Sequence, residues 1–451
     1  MSRAWILFVL SFPFGTLSAQ TTPLALTGTL ITPDGIVQNG TVLIQNGKIT
    51  AAGAQVSLPA GTKTVETHGV ISPGLIDLHN HLTWNVFPRW KPITEFGNRY
   101  DWEQKPIYKL LMDAPHEALV QQGLECQMER YAEVKAITEG ETSVVGGTYT
   151  PCDQGLARNL DYDPQLGTGL GTILYYIFPL SISESELAAA NAALSAKPRG
   201  SLLIHLAEGA PKNASAAEEL YTLQGRGLFK PGVSLIHATA LTPANFAAMA
   251  KAGVGLIWSP RSNIELYGDT TNVAAAKSAN VVMAIAPDWS PTGSVGSLGE
   301  LNYASVWNQS QPSSIFTEAE LVAMATANPA TLVGLQDQIG SLAPNHVADL
   351  LIIRDTGKET GKDAYWSLTH ATPEDVDLVM IGGAATYGDP QLMRQLSNGQ
   401  TETLHICGAE KTISFASETN PPGTFAATQS KLDHALRQQG RRLAPLAECG
   451  Q

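Results

Sequence analysis

Between residues 75 and 290, short apolar runs alternate with stretches of helical pattern, and this alternation constrains the fold more than any other feature of the chain. The runs are LIDLH, ETSVVGG, GTILYYIFPL, SLLIHL, VSLIHA, GVGLIW and VVMAIA, with helical stretches such as ESELAAANAALSA and TPANFAAMAKAG between several of them. Strands that follow one another through helices pair in parallel, so the pattern predicts an α/β fold. Shorter alternating segments flank this region. LALTGTLITPDG, GTVLIQNGKITAAG with its Asn-Gly turn, and TKTVETHGV come before it; HVADLLIIRD and DVDLVMIGGAATYGD come after. Two sets of strands around one α/β region predict a small β domain built from both ends. The 451 residues suffice for one large domain and one small one.

Each of several runs ends in a residue with metal or acid-base chemistry. His79 and His81 close GVISPGLIDLHNHL. On a strand, positions i and i+2 share a face, so both imidazoles can reach one ion while Asn80 faces away. His205 and Glu208 follow in SLLIHLAEG, His237 in VSLIHATALT, and Asp288 in VVMAIAPDWSPTGS. Taken singly, His205 and His237 read as core histidines, Asp288 as a turn cap before Pro291, and Glu208 as a solvated carboxylate. Taken together and in order, they form the ligand set of a catalytic Zn²⁺ or Fe²⁺ that keeps one position open for water. Strand ends converging on one rim are barrel geometry, and catalytic groups of such barrels gather at the C-terminal ends of the strands.

At these residues the chain resembles the amidohydrolase superfamily, in the one-metal branch that holds cytosine and guanine deaminases and triazine hydrolases. The resemblance rests on Pro73-Gly74-Leu75-Ile76-Asp77-Leu78-His79-Asn80-His81, on His205 with Glu208, on His237, and on Asp288. ALTPANFAAMAKAGVGLIWSPRSN and ATANPATLVGLQDQIGSLAPNHVADLLII extend it, over residues 24 to 388 in all. It implies a (β/α)₈ TIM-like barrel over residues 73–342, with a small composite β-sandwich domain formed by 24–72 and 343–388 and a C-terminal extension over 389–451. The seven runs are one short of eight. Either a strand lies unread between residues 81 and 205, or this barrel departs from the family.

The resemblance also implies one divalent metal ion on His79, His81, His205 and Asp288, with Glu208, His237 and Asp288 as the catalytic groups. In those roles Asp288 takes the proton of the activated water, His237 orients or polarises the attack, and Glu208 delivers a proton to a ring or leaving nitrogen. Family members with two metals often bridge them with a carboxylated lysine on a middle strand. Lys91, Lys105, Lys109, Lys135 and Lys197, the lysines between His81 and His205, end no clear strand, which favours a single ion. Zinc is preferred to iron, because both suit these ligands and zinc keeps its oxidation state outside the cytoplasm. His68, His116, His346, His370, His405 and His434 sit in turns, helices or the tail and are left out of the site.

With 28 Lys and Arg against 41 Asp and Glu, the net charge of −13 disfavours a nucleic-acid or anionic-membrane surface. MSRAWILFVLSFPFGTLSAQ has the build of a signal peptide: Arg3, an apolar stretch from Ala4 to Phe14, and small Ser18 and Ala19. Residues 1–19 are therefore read as a leader cleaved after Ala19, which places the mature protein in the periplasm or outside the cell, with no membrane association after cleavage. In an oxidising compartment the four cysteines admit three pairings. Cys407 with Cys449 would staple the tail and Cys126 with Cys152 would bridge a helix-strand unit, while four reduced thiols remain the alternative.

The segment Trp84 to Tyr108 holds Trp84, Phe87, Trp90, Phe96, Tyr100, Trp102 and Tyr108, seven of the chain's 31 aromatic residues. It reads either as a pocket wall or lid over the active face, or as a self-packed surface loop. Trp258, Ser259, Arg261 and Asn263, and then Trp289, Ser290 and Thr292, follow strands whose ends face the pocket; Arg261 is read as a loop tie rather than a substrate contact. The function predicted is an exported, metal-dependent hydrolase of carbon-nitrogen bonds other than peptide bonds, acting on a small-molecule substrate, with deamination of an aminated heterocycle first. A cyclic-amide or acyl-amino-acid hydrolase is the near alternative, and a non-catalytic secreted binding protein is the alternative of another class. A homodimer stays open.

Overall fold

The computed structural model describes residues 22–147, 152, 155–162, 165–177, 181–397, 399–418 and 423–449. The segment 1–19, read as a leader, lies outside the described residues. No helix among those described is long and apolar enough to cross a membrane.

Eight parallel strands carry the alternation. Leu75–Ile76, Glu141–Val144 and Arg158–Asn159 form one sheet. Ile173–Tyr176, Ser201–Leu206, Val233–His237, Gly255–Trp258 and Met283–Ile285 form the other. The first and last strands meet beyond their named ends, where Asp288 N donates to His79 O at 2.9 Å and Asn80 bridges Asp288 in parallel. The strand missing from the sequence reading is Arg158–Asn159. It is two residues long and polar on both faces, so periodicity carries no trace of it; Arg158 is buried through a two-pronged contact with Asp349 at 2.7 and 3.0 Å.

Side chains two apart on these strands share a face. Ile76, Leu203, Ile236, Ile257 and Ala284 fill the interior as one buried cluster, while Leu202, Ile204, Leu235 and Leu256 point outward onto the helices. The helices start where the sequence supplies caps. Ser183 and Glu186 form a capping box before Glu184–Ser195, and Thr242 with Asn245 does the same before Pro243–Ala252, which ends on Gly253 at φ 66°.

The strands at the two ends join in a nine-stranded mixed sheet. Lys63–Pro73 lies beside its central strand Leu350–Ile353, antiparallel to it and parallel to Leu24–Thr32, so the strand entering the barrel pairs with the one leaving it. The Asn46-Gly47 turn predicted from sequence links Gly35–Gln45 to Lys48–Gly53, both residues at positive φ as a two-residue hairpin requires. The sheet runs on past residue 388: Thr401–Ile406 and Ala409–Ser414 form its far edge. Disulfides join Cys126 to Cys152 and Cys407 to Cys449. The second ties the chain's last residues to the hairpin turn of that edge, and the helix Phe425–Gln438 between them packs on Glu125–Thr138, where Phe425 stacks on Tyr131.

Candidate active site

The C-terminal ends of the strands gather His79, His81, His205, Glu208, His237 and Asp288 around one pocket, all but His81 buried. The backbone is bent to do so. Ala207, His237, Ala238 and Asp288 have φ between 53° and 72°, a left-handed conformation that non-glycine residues adopt at a cost. Hydrogen bonds hold it there, among them Ala238 N to Leu206 O and Asp288 N to His79 O.

His79 Nε2 lies 3.0 Å from His205 Nε2 and 3.2 Å from Asp288 Oδ1, and His81 Nε2 lies 3.3 Å from the same oxygen. Donors about 3.3 Å apart are what a tetrahedron around an ion at roughly 2.0–2.1 Å requires. The tautomers agree. His205 Nδ1 faces the Tyr176 carbonyl at 3.2 Å and must donate to it, which leaves a lone pair on Nε2. His79 Nδ1 faces Ser259 Oγ at 2.7 Å. With Nδ1 donating there too, two lone pairs confront each other at 3.0 Å, an arrangement that a cation between them relieves. The donor set therefore fits a divalent ion. Among the described residues, two overlapping groups have the reach to hold one: His79, His81 and His205, and His79, His237 and Asp288.

Burial favours the uncharged imidazole, and it lowers His79 to about 4 against the opposing pull of Asp288. His205 is held well below its ordinary value by burial and then by the neighbouring His79 and His81. Burial pushes the Asp288 carboxyl up, but His79, His81 and His237 together outweigh it and keep Asp288 well below the usual carboxylate range. His79 and His205 thus favour the neutral imidazole and Asp288 the ionised carboxylate, the forms that bind metal.

Glu208 lies beside this cluster. Its Oε2 is 3.6 Å from His237 Nε2, which is itself 4.0 Å from Asp288 Oδ2, so three acid-base groups face one volume. Trp84, Trp102, Tyr108 and Trp289 wall that volume, and Arg99, Glu103 and Ile177 also line it. The segment from Trp84 to Tyr108 is thus both of its alternatives. Trp84, Trp102 and Tyr108 line the pocket, whereas Phe87, Trp90 and Phe96 are buried behind them and Tyr100 bonds Glu219. His116, left out of the site by its place in a helix, stacks on the outer face of Trp84 at 3.9 Å.

The residues expected near the pocket divide. Ser259 touches His79, Asn263 Oδ1 sits 2.7 Å from His237 Nδ1, and Trp289 lines the wall. Trp258 is core, bonded to Thr270, and Ser290 joins Asn85 and Lys135. Thr292 meets Ser262. Arg261 ties loops together through Glu448 at 2.6 Å, as its structural reading held. Lys135 is buried, bonded to Asn85 O and Ser290 Oγ, and belongs to neither metal-holding group. Asn80 turns away from the cluster to Asp77.

Sequence reasoning missed Ser262, which donates to Asp288 Oδ2 at 2.6 Å, Tyr267, which donates to Glu208 Oε1 at 2.6 Å, and Arg99, whose Nη1 is 3.6 Å from Glu208 Oε2. It also missed Glu103, whose carboxyl is raised to about 7 by burial and then by the charge of Glu208. A signal for Tyr267 was present: Ser259, Asn263 and Tyr267 recur every fourth residue, one face of a helix. Arg99 and Glu103 had none, since nothing in a loop's sequence states where it folds back.

Comparison with known proteins agrees with this geometry. The amidohydrolase family profile matches residues 188–419. The 5-methylthioadenosine/S-adenosylhomocysteine deaminase of Syntrophobacter fumaroxidans is 25% identical over 430 residues, 83% of this chain and 95% of that protein. Among solved structures, a zinc-bound adenosine deaminase from Xanthomonas campestris superposes with a TM-score of 0.68 at 17% identity, covering 93% of this chain and 99% of its own. The guanine deaminase of E. coli gives 0.63 at 19% identity, covering 81% and 99%. Eight strands of barrel order, histidines and an aspartate converging at their ends, and a profile match over half the sequence lead to one assignment. The chain belongs to the amidohydrolase family, and it is a hydrolase of carbon-nitrogen bonds other than peptide bonds.

Proposed function

We propose that the protein deaminates an aminated heterocycle by hydrolysis, with His79, His81, His205 and Asp288 as the ligands of one divalent ion, zinc ahead of iron. The observation that carries the reading is the convergence of Glu208 Oε2, His237 Nε2 and Asp288 Oδ2, spaced 3.6 and 4.0 Å, on the volume beside that cluster. A flat ring suits the aromatic wall facing them. The S. fumaroxidans relative, named for deamination of adenine-bearing compounds, supports this substrate class.

When bound, a divalent ion supplies Lewis acidity that brings water within reach of deprotonation near neutral pH, to a pKa of about 7 for zinc. The chain's own residues do the rest. Asp288 accepts one proton from the attacking water. His237, its Nδ1 held by Asn263, presents Nε2 to the oxygen that forms at the attacked carbon. Glu208 gives a proton to the ring nitrogen, so its O–H bond breaks as an N–H bond forms. As the carbon-nitrogen bond breaks, Asp288 returns its proton to the departing amine as ammonia, and Glu208 takes the remaining hydroxyl proton. Water and the aminated ring become ammonia and the oxo ring.

The signal-peptide pattern read in the sequence of residues 1–19 supports export to the periplasm or beyond, and two disulfides suit such a compartment. We also propose that the eight strands close as a barrel over 73–342, and that the nine-stranded sheet curls over its own apolar cluster as the composite sandwich domain. Ammonia release from 5′-methylthioadenosine, adenosine, guanine and cytosine by zinc-loaded protein, beside elemental analysis, tests the function. About one equivalent of metal and turnover of one of these supports it; release of acid from cyclic amides with no ammonia from any amine would overturn it.

A further inference from the structure

One face of the short helix Pro260–Tyr267 reaches all the acid-base groups. Its N-cap Ser259 contacts His79, Ser262 donates to Asp288, Asn263 contacts His237, and Tyr267 donates to Glu208. The last contact differs in kind, because a second partner dictates its direction. Trp102 Nε1–H donates to the Tyr267 oxygen at 2.9 Å, and indole can only donate. The single phenolic proton is therefore turned onto Glu208 Oε1, at 2.6 Å. Tyr267 and Glu208 are 3% and 5% exposed, so water offers no easy substitute.

We infer that Tyr267 is a positioning residue that fixes which oxygen of Glu208 exchanges a proton with the substrate, and that Trp102 sets the direction of that contact. An oxygen that accepts from Tyr267 behaves as the carbonyl oxygen of the protonated carboxyl. The transferable proton then resides on Oε2, the oxygen that faces His237. No described residue hydrogen bonds to Oε2: Arg99 stands 3.6 Å off, its Nη1 donating to Ile177 O and its Nη2 to Tyr100 and Glu219. Without the Tyr267 hydroxyl, the proton divides between the two oxygens, and a share of encounters presents the wrong one. This inference rests on the deamination reading above.

The test uses the zinc-loaded full chain and whichever of the four amines gives the fastest ammonia release, comparing Tyr267→Phe, Trp102→Phe, Glu208→Gln and the double variant of Glu208→Gln with Tyr267→Phe. The expectation is that Tyr267→Phe lowers kcat by about 10- to 100-fold, with KM and zinc content unchanged. Trp102→Phe, which keeps an aromatic ring in the wall and removes the donor, lowers kcat by a smaller factor. In the double variant, Tyr267→Phe costs nothing beyond the loss already caused by Glu208→Gln, because both act through one proton. A Tyr267→Phe protein with full kcat beside an inactive Glu208→Gln overturns the inference alone. If Tyr267→Phe fails to fold or loses zinc, Trp102→Phe decides: a fall in kcat at constant KM supports the inference, and an unchanged kcat overturns it. Full activity in Glu208→Gln, or no ammonia from any of the four amines, overturns the deamination reading and the inference with it.

Discussion

The two walls of the pocket are held by different physics. On the polar side four groups are each aimed by a bond to an atom outside the cluster: His79 by Ser259, His205 by the Tyr176 carbonyl, His237 by Asn263, Asp288 by Ser262. Hydrogen bonds are directional, so each of these side chains has one useful orientation. On the aromatic side, Trp84, Trp102, Tyr108 and Trp289 lie with ring centroids 5.0–6.4 Å apart, and packing does most of the holding. Packing tolerates exchange of one ring for another of similar shape. Changes on the polar side should therefore act on metal and kcat, and changes on the aromatic side on KM, except at Trp102, whose Nε1 bonds Tyr267 behind the wall.

His205→Ala is the severest break of that contrast: it should release the metal and lower turnover by at least about 10⁴-fold, with elemental analysis reading the first and ammonia release the second. Retention of a full equivalent would remove His205 from the ligand set. One layer out, Ser259→Ala leaves every ligand in place and removes the partner of His79. Competition with a chelator should show zinc affinity reduced by about 10- to 100-fold, and unchanged affinity would mean that the Ser259 contact aims nothing. Across the pocket, Trp84→Leu should raise KM by about 10-fold through lost stacking on the ring, while zinc content and kcat hold steady. A fall in kcat without a change in KM would erase the distinction between the walls.

The smallest effect is electrostatic and lies behind the aromatic wall. Burial lowers His116 to about 4 from an ordinary value of 6.5. A depressed histidine binds fewer protons folded than unfolded between those values, so stability rises with pH there. The contribution is complete above pH 6.5 and is lost as pH falls towards 4. Between pH 7 and pH 5 the protein should lose about 1–2 kcal/mol more than His116→Phe does, measured by urea unfolding. Equal losses in the two proteins would show that this stack does not sense protons.

Legibility from sequence followed whether a position announces itself locally. His79, His81, His205, His237 and Asp288 each close an apolar run, and a run's end is a place on the barrel rim, so their meeting could be anticipated. Arg158–Asn159 is a strand of the same barrel and was invisible, because two polar residues have no period and are held by Asp349, 191 positions away. The edge strands Thr401–Ile406 and Ala409–Ser414 went unread for a related reason: they pair with each other and with Ala384–Gly388 late in the chain, past the segment where the family pattern was sought.

From sequence alone came the order of strands and helices, the rim residues and the class of ion they suit, because periodicity and ligand chemistry are local properties of a chain. Tertiary structure alone decided which atom of each rim residue faces the pocket and what waits behind it. Tyr267 reaches Glu208 across 59 positions and Trp102 reaches Tyr267 across 165. A hydrogen bond is made in space, and spacing along the chain carries no record of its direction.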